Sequence, residues 1–175
     1  FQGSLFYTQY RSEIIAEFAN DLGIEVMAVG NHEFDDGPEE LAKLLEAAEF
    51  PIISGNTNVE NEPALAGKLE GTHVLEIGGE KIGIVSALAE DTDETSSPGE
   101  NVEFDDTITS LRTQVDALTA SGVNKIIALT HVGYTHDLEI AANVPGIDVI
   151  VGGHSHSLLS NTEEGAAGPY PTMVD

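Results

Sequence analysis

The chain has 175 residues, 41% of them hydrophobic, with 31 acidic against six basic side chains, a formal charge of −25 and no cysteine. This charge excludes a nucleic-acid polymer as partner, since phosphates want a basic footprint, and the missing thiols exclude disulfides and Cys-ligated zinc. No apolar run approaches the roughly 20 residues needed to cross a bilayer, and a mean hydropathy of −0.06 is that of a chain able to bury a sizeable core.

The predicted elements alternate. Ile14, Ile15, Phe18, Ala19 and Leu22 recur at helical spacing and predict a helix over 12–22, with Gly23 at its C-terminal cap. An apolar run over 24–29 predicts a buried strand that ends in Gly30-Asn31-His32-Glu33-Phe34-Asp35. Pro38 suits the first turn of a helix whose apolar face is Leu41, Leu44, Leu45 and Ala48, and Asp35 also fits an N-cap ahead of it. A short strand over 51–54 leads to Asn56, read as a turn residue. The segments 72–77 and 81–87 flank Gly78-Gly79 and predict a β-hairpin. The acidic stretch 90–106 reads as a long surface loop, without the ligand spacing of an EF-hand. A helix over 107–120, a strand running through Thr130 into His131, a short helix over 138–142 and a strand over 149–151 follow. A last strand is expected to start at Tyr170. Continuous apolar strands between helices imply an α/β fold with a largely parallel sheet covered on both faces.

Three of these strands end in residues able to ligate a metal. Asn31, His32 and Asp35 stand at the first tip, His131 at the second, and His154 and His156 in Gly152-Gly153-His154-Ser155-His156 at the third. In α/β proteins such tips are where ligands bind. Imidazole nitrogens with amide or carboxylate oxygens suit Zn²⁺, Mn²⁺ or Fe. An anionic substrate needs positive charge nearby, and with six Lys and Arg in all the obvious supplier is metal. His73 and His136 belong to no such block and read as surface residues.

The blocks at 30–35, 130–133 and 152–156, with the connecting text 50–54 and 123–129, resemble the calcineurin-like metallophosphatases, and within them the 5'-nucleotidase family. The resemblance implies a metallophosphatase α/β sandwich with mostly parallel buried strands and flanking helices. It implies two divalent metal ions, with Asn31, His131 and His154 as ligands of one and His156 of the other. His32 matches the family's catalytic histidine and Asp35 the carboxylate that steadies it. A nucleotide or other small phosphoester is the implied substrate. The implied reaction is phosphate release from nucleoside 5'-monophosphates, with UDP-sugar hydrolysis and 2',3'-cyclic-nucleotide phosphodiester hydrolysis as alternatives. A periplasmic or extracellular location goes with the family.

The family's opening Asp-x-His and Gly-Asp blocks are missing from this sequence, so 1–175 is expected to be one partial catalytic domain, without its first and last strands or the C-terminal nucleotide-binding domain. Residues 1–6 resemble the text just after that Gly-Asp, and residues 1–4 also resemble a tag remnant. Such a piece is expected to be inactive alone and to self-associate through an exposed sheet edge; a non-catalytic, self-associating fragment is therefore the other reading.

Overall fold

A computed structural model describes residues 2–174. In chain order its elements are α1 (Leu5–Asp21), β1 (Met27–Ala28), a 3₁₀ turn (Asn31–Phe34), α2 (Pro38–Ala47), β2 (Ile52–Ile53), β3 (Thr57–Asn58), β4 (Thr72–Ile77), β5 (Glu80–Leu88), α3 (Thr92–Thr95), β6 (Glu103–Phe104), α4 (Thr107–Ala120), β7 (Ile126–His131), α5 (Tyr134–Asn143) and β8 (Val149–Val151). The main sheet runs β4-β5-β7-β8. β5, β7 and β8 are parallel, and β4 joins antiparallel through the predicted hairpin. Gly78 and Gly79 both take positive φ, 62° and 83°, which a tight primed turn requires. β1 and β2 form a separate parallel pair, and β3 and β6 an antiparallel one.

β5 explains how the two halves of the core meet, because consecutive side chains on a strand point to opposite faces. Val85 and Ala87 join a cluster with Leu111, Val115, Ile126 and Ile140. Leu88 joins the other, with Ile15, Phe34, Leu41, Ile52 and Leu65. Both faces of this strand are therefore dry, as the predicted α/β arrangement requires.

Four expectations are corrected. α1 starts at Leu5 and not at residue 12, capped by the Ser4 hydroxyl, which accepts the Tyr7 amide at 3.1 Å. Its two segments meet at Arg11, at φ 59° and ψ −147°, so the predicted helix is the second of them. The first escaped the periodicity reading because Tyr7 alone of its apolar residues reaches the core, while Leu5 is 86% exposed, Phe6 58% and Tyr10 56%. The stretch 90–106 is no solvated loop throughout, since it folds into α3 and β6 and buries Thr92, Pro98 and Val102. Asn56 is a fully buried bridge whose side chain bonds both backbone groups of Leu88 at 2.8 Å and the Asp105 carbonyl at 3.0 Å. Its short side chain supplies one acceptor and two donors where three segments meet. No strand forms over 170–174; the prolines at 169 and 171 bring no N–H to a ladder, and Tyr170 bonds locally to the Asn161 side chain.

Candidate functional site

β1, β7 and β8 bring their carboxyl ends to one side, with the 3₁₀ turn directly after β1. Period two puts Ile127, Leu129 and His131 on the less buried face of β7, toward the cleft that β1 also lines. There His131 meets the Asn31 side chain, 100 residues away in sequence: Nε2 lies 3.1 Å from Asn31 Oδ1. His154 reaches the same oxygen with Nδ1 at 3.3 Å, across 123 residues. The two imidazoles stand edge to face at 5.2 Å between ring centres.

This set fits a metal ion. Donors bound to one ion at about 2.0–2.2 Å lie about 3.0–3.5 Å from each other in octahedral or tetrahedral arrays, and the two separations here fall within that span. Burial pushes the His131 imidazolium down to about 4, reinforced by the charges that His154, His32 and His156 would carry. A neutral ring with a free lone pair is what a metal requires. Among the described residues no group of three or more His, Cys, Asp or Glu side chains is placed to hold a metal ion; this set joins two imidazoles to an amide.

Glycines make the approach possible. A Cβ on Gly30 would stand 2.9 Å from both Glu33 Oε2 and His131 Cε1. A Cβ on Gly152 would stand 2.0 Å from Asp137 Oδ2. At under 3.0 Å both contacts are closer than a real Cβ comes to another heavy atom, so the neighbouring side chain would have to shift.

His32 sits on the same turn, with its side chain 61% exposed and near enough for its charge to act on His131. Its Nδ1 donates to Asp35 Oδ2 at 2.8 Å, which fixes the tautomer and leaves Nε2 as the free nitrogen. Asp35 does not cap α2; the N-cap there is Gly37, and Asp35 Oδ1 instead accepts the Ser96 hydroxyl at 2.9 Å. The turn is locked from below. Phe34 is fully buried and packs edge to face on Phe104 at 6.0 Å. The buried Glu33 accepts the Gly30 amide at 2.7 Å, and burial raises its pKa. Asp36 accepts the Tyr7 hydroxyl at 2.7 Å and pairs with Arg11, which lies over the Tyr7 ring. Burial and the Asp36 carboxylate push the Tyr7 phenol up to about 12.

His156 stands apart from the Asn31 cluster. It is exposed, at φ 49°, and acts on His131 only through its charge. His154 also takes left-handed backbone, at φ 80°. His136 is tied elsewhere: Nε2 lies 2.7 Å from the Thr107 hydroxyl and Nδ1 3.4 Å from Glu139. His73 lies 3.9 Å from Glu70, away from the site.

The sequence reading missed Ser96, Glu33 and Asp137. Ser96 had no signal, lying 61 residues from Asp35 in an acidic stretch. Glu33 stood inside the recognised block. Asp137 accepts the Thr130 hydroxyl at 2.6 Å at the tip of β7, and burial raises its pKa. Five of the six cationic side chains are engaged away from the cluster: Arg11, Lys43, Lys68 and Lys125 with carboxylates, and Arg112 with the Asn143 carbonyl.

The profile of a family described as calcineurin-like phosphoesterase matches residues 3–158; Gly3 and Ser4 thus fall within it. The 5'-nucleotidase of Homo sapiens is 43% identical over 99% of this chain and 32% of its own length. The chain thus spans about a third of the curated relatives it matches. A 5'-nucleotidase precursor from Thermus thermophilus superposes with a TM-score of 0.95 at 45% identity, over 100% of this chain and 35% of that one. The NAD nucleotidase of Haemophilus influenzae gives a TM-score of 0.85 at 38% identity, over 91% and 32%.

Proposed function

The chain belongs to the calcineurin-like phosphoesterase family, and from that premise we propose that it forms part of the catalytic domain of a two-metal phosphomonoesterase acting on nucleoside 5'-monophosphates. The observation that carries the reading is the meeting of His131 and His154 on one Asn31 oxygen, with the His32–Asp35 pair on the adjoining turn. The family implies divalent metal ions. Asn31, His131 and His154 would hold one, and His156 would serve the other.

Ions held there supply the charge that neutralises phosphoryl oxygens and the acidity that makes bound water a nucleophile. The protein's own part is orientation. Asp35 holds the His32 Nδ1 proton, so a second proton, when the ring carries one, sits on Nε2, where it would stabilise the developing charge on the leaving oxygen or pass to it. Arg11 is held by Asp36 on this turn, and Lys43, Lys68, Lys125 and Arg112 are engaged away from it, so the His32 ring is the proton carrier here.

The two solved relatives named above support two substrate classes, a nucleoside monophosphate and a dinucleotide. Release of phosphate from AMP by the native full-length protein with Mn²⁺, abolished by chelator, is the expected result. Turnover of NAD without turnover of AMP would select the second class, and no metal-dependent release from either would overturn the reading.

No helix among the described residues is long and apolar enough to cross a membrane. A periplasmic or extracellular location is part of the proposal, supported by venom proteins among the relatives. Self-association is part of it too. β8 is the outer strand of its sheet, and Val149 and Val151 on it are each 51% exposed. A light-scattering mass of one chain at micromolar concentration would count against it.

A further inference from the structure

The geometry points to Ser96 as a positioning residue for the His32–Asp35 pair, an inference that rests on the phosphoesterase reading above. A carboxylate held by one oxygen swings about its last torsion, whose energy well is broad. Asp35 is held by both: Oδ2 takes the His32 ring N–H at 2.8 Å, and Oδ1 takes the Ser96 hydroxyl at 2.9 Å. The second contact fixes the carboxylate plane, and the plane fixes the direction of the imidazole.

Ser96 is itself carried by a tethered frame. It follows α3 directly, and α3 hangs from the end of β5. The fully buried Thr92 donates its hydroxyl to the Ala89 carbonyl at 2.6 Å, and the Ala89 amide donates to the His131 carbonyl at 3.1 Å. Beyond Ser96, Pro98 and Val102 are buried and anchor the chain again. The hydroxyl is thus referenced to the strand tip that bears His131, while the residue it serves lies on the turn after β1. The loop couples the histidine pair to the candidate metal cluster through hydrogen bonds, not through proximity in sequence. Backbone at Ser96 is extended, φ −151° and ψ −159°, a region that threonine favours, and the side chain is only partly buried.

The test uses the native full-length protein, Mn²⁺ and p-nitrophenyl phosphate. Ser96→Ala should lower kcat about 10-fold, the low end of what losing the outer hydrogen-bond partner of a metal-ligating side chain costs, with KM within about 2-fold. Ser96→Thr keeps the hydroxyl and should restore kcat to within about 2-fold of the native value. In a His32→Ala background, adding Ser96→Ala should cost nothing further, because the group it orients is gone. Should Ser96→Ala fail to fold, Ser96→Cys keeps the volume with a weak donor and takes its place. A native kcat for Ser96→Ala, a loss that Ser96→Thr shares, or a loss that persists in the His32→Ala background would each overturn the inference. If His32→Ala alone left turnover intact, the phosphoesterase role of His32 would fail, an outcome separable from the others.

Discussion

Two loops carry candidate site residues, and they are built in opposite ways. Over 30–37, four residues (Gly30, Asn31, Glu33 and Phe34) are buried, and Gly30, His32, Asp35 and Asp36 each have a hydrogen-bond or ionic partner. Over 152–157, His154 and His156 both sit in left-handed backbone, and the seryl groups chiefly pair among themselves and with the Tyr134 amide. The first loop is a finished tool, and the second is a set of donors whose geometry other groups must complete. Side chains that move protons need an orientation fixed in advance; side chains that bind an ion are gathered by it.

The contrast can be broken most severely at His32. His32→Ala should cut kcat by about 100-fold or more while metal content stays unchanged; atomic absorption alongside initial rates separates the two, and unchanged turnover would sink the assignment. Gly30→Ala strikes the backbone of the same finished loop. Its Cβ would fall 2.9 Å from both Glu33 and His131, so a loss of about 1–3 kcal/mol is expected in urea melts.

Glu40 tests the scaffold under that loop. Burial would raise its pKa, but the Lys43 ammonium and the Ser12 amide outweigh burial and hold it below the usual carboxylate range. A folded pKa below the unfolded one stabilises the fold above the unfolded value of 4.5, and the gain is lost as pH falls through the folded value. Glu40→Gln should therefore cost about 1 kcal/mol at pH 7, with its melting curve converging on the native one at acid pH. A gap that stayed constant with pH would refute the charge-based account.

The smallest effect has the opposite sign. His156→Gly relieves a side chain at φ 49° and should stabilise the metal-free protein by about 0.5 kcal/mol, while weakening metal uptake measured by calorimetry. Destabilisation instead would mean that His156 already has a structural role.

Much of this contrast was legible in the sequence. The apolar run before Gly30, the run before His131 and the run before Gly152 located three strand tips, and their order matched the fold. The hairpin was legible because Gly78-Gly79 leaves few other turns open. What stayed hidden depended on contacts between distant segments. Ser96 looks like any serine in an acidic loop until Asp35 stands 2.9 Å away. Asn56 reads as a turn because its burial comes from Leu88 and Asp105, which no local pattern announces. The first turns of α1 were hidden because Leu5, Phe6 and Tyr10 face outward, and amphipathic period reports only on faces that meet a core.

With four of the six lysines and arginines paired with carboxylates, the chain keeps a formal charge of −25 that little else offsets. Its consequence is kinetic. An anion such as the proposed nucleotide meets net repulsion at long range, so added salt, which screens beyond about 8 Å at physiological strength, should speed encounter. Attractive fields slow association as salt rises; under the proposed reading the bimolecular rate here should instead climb with ionic strength.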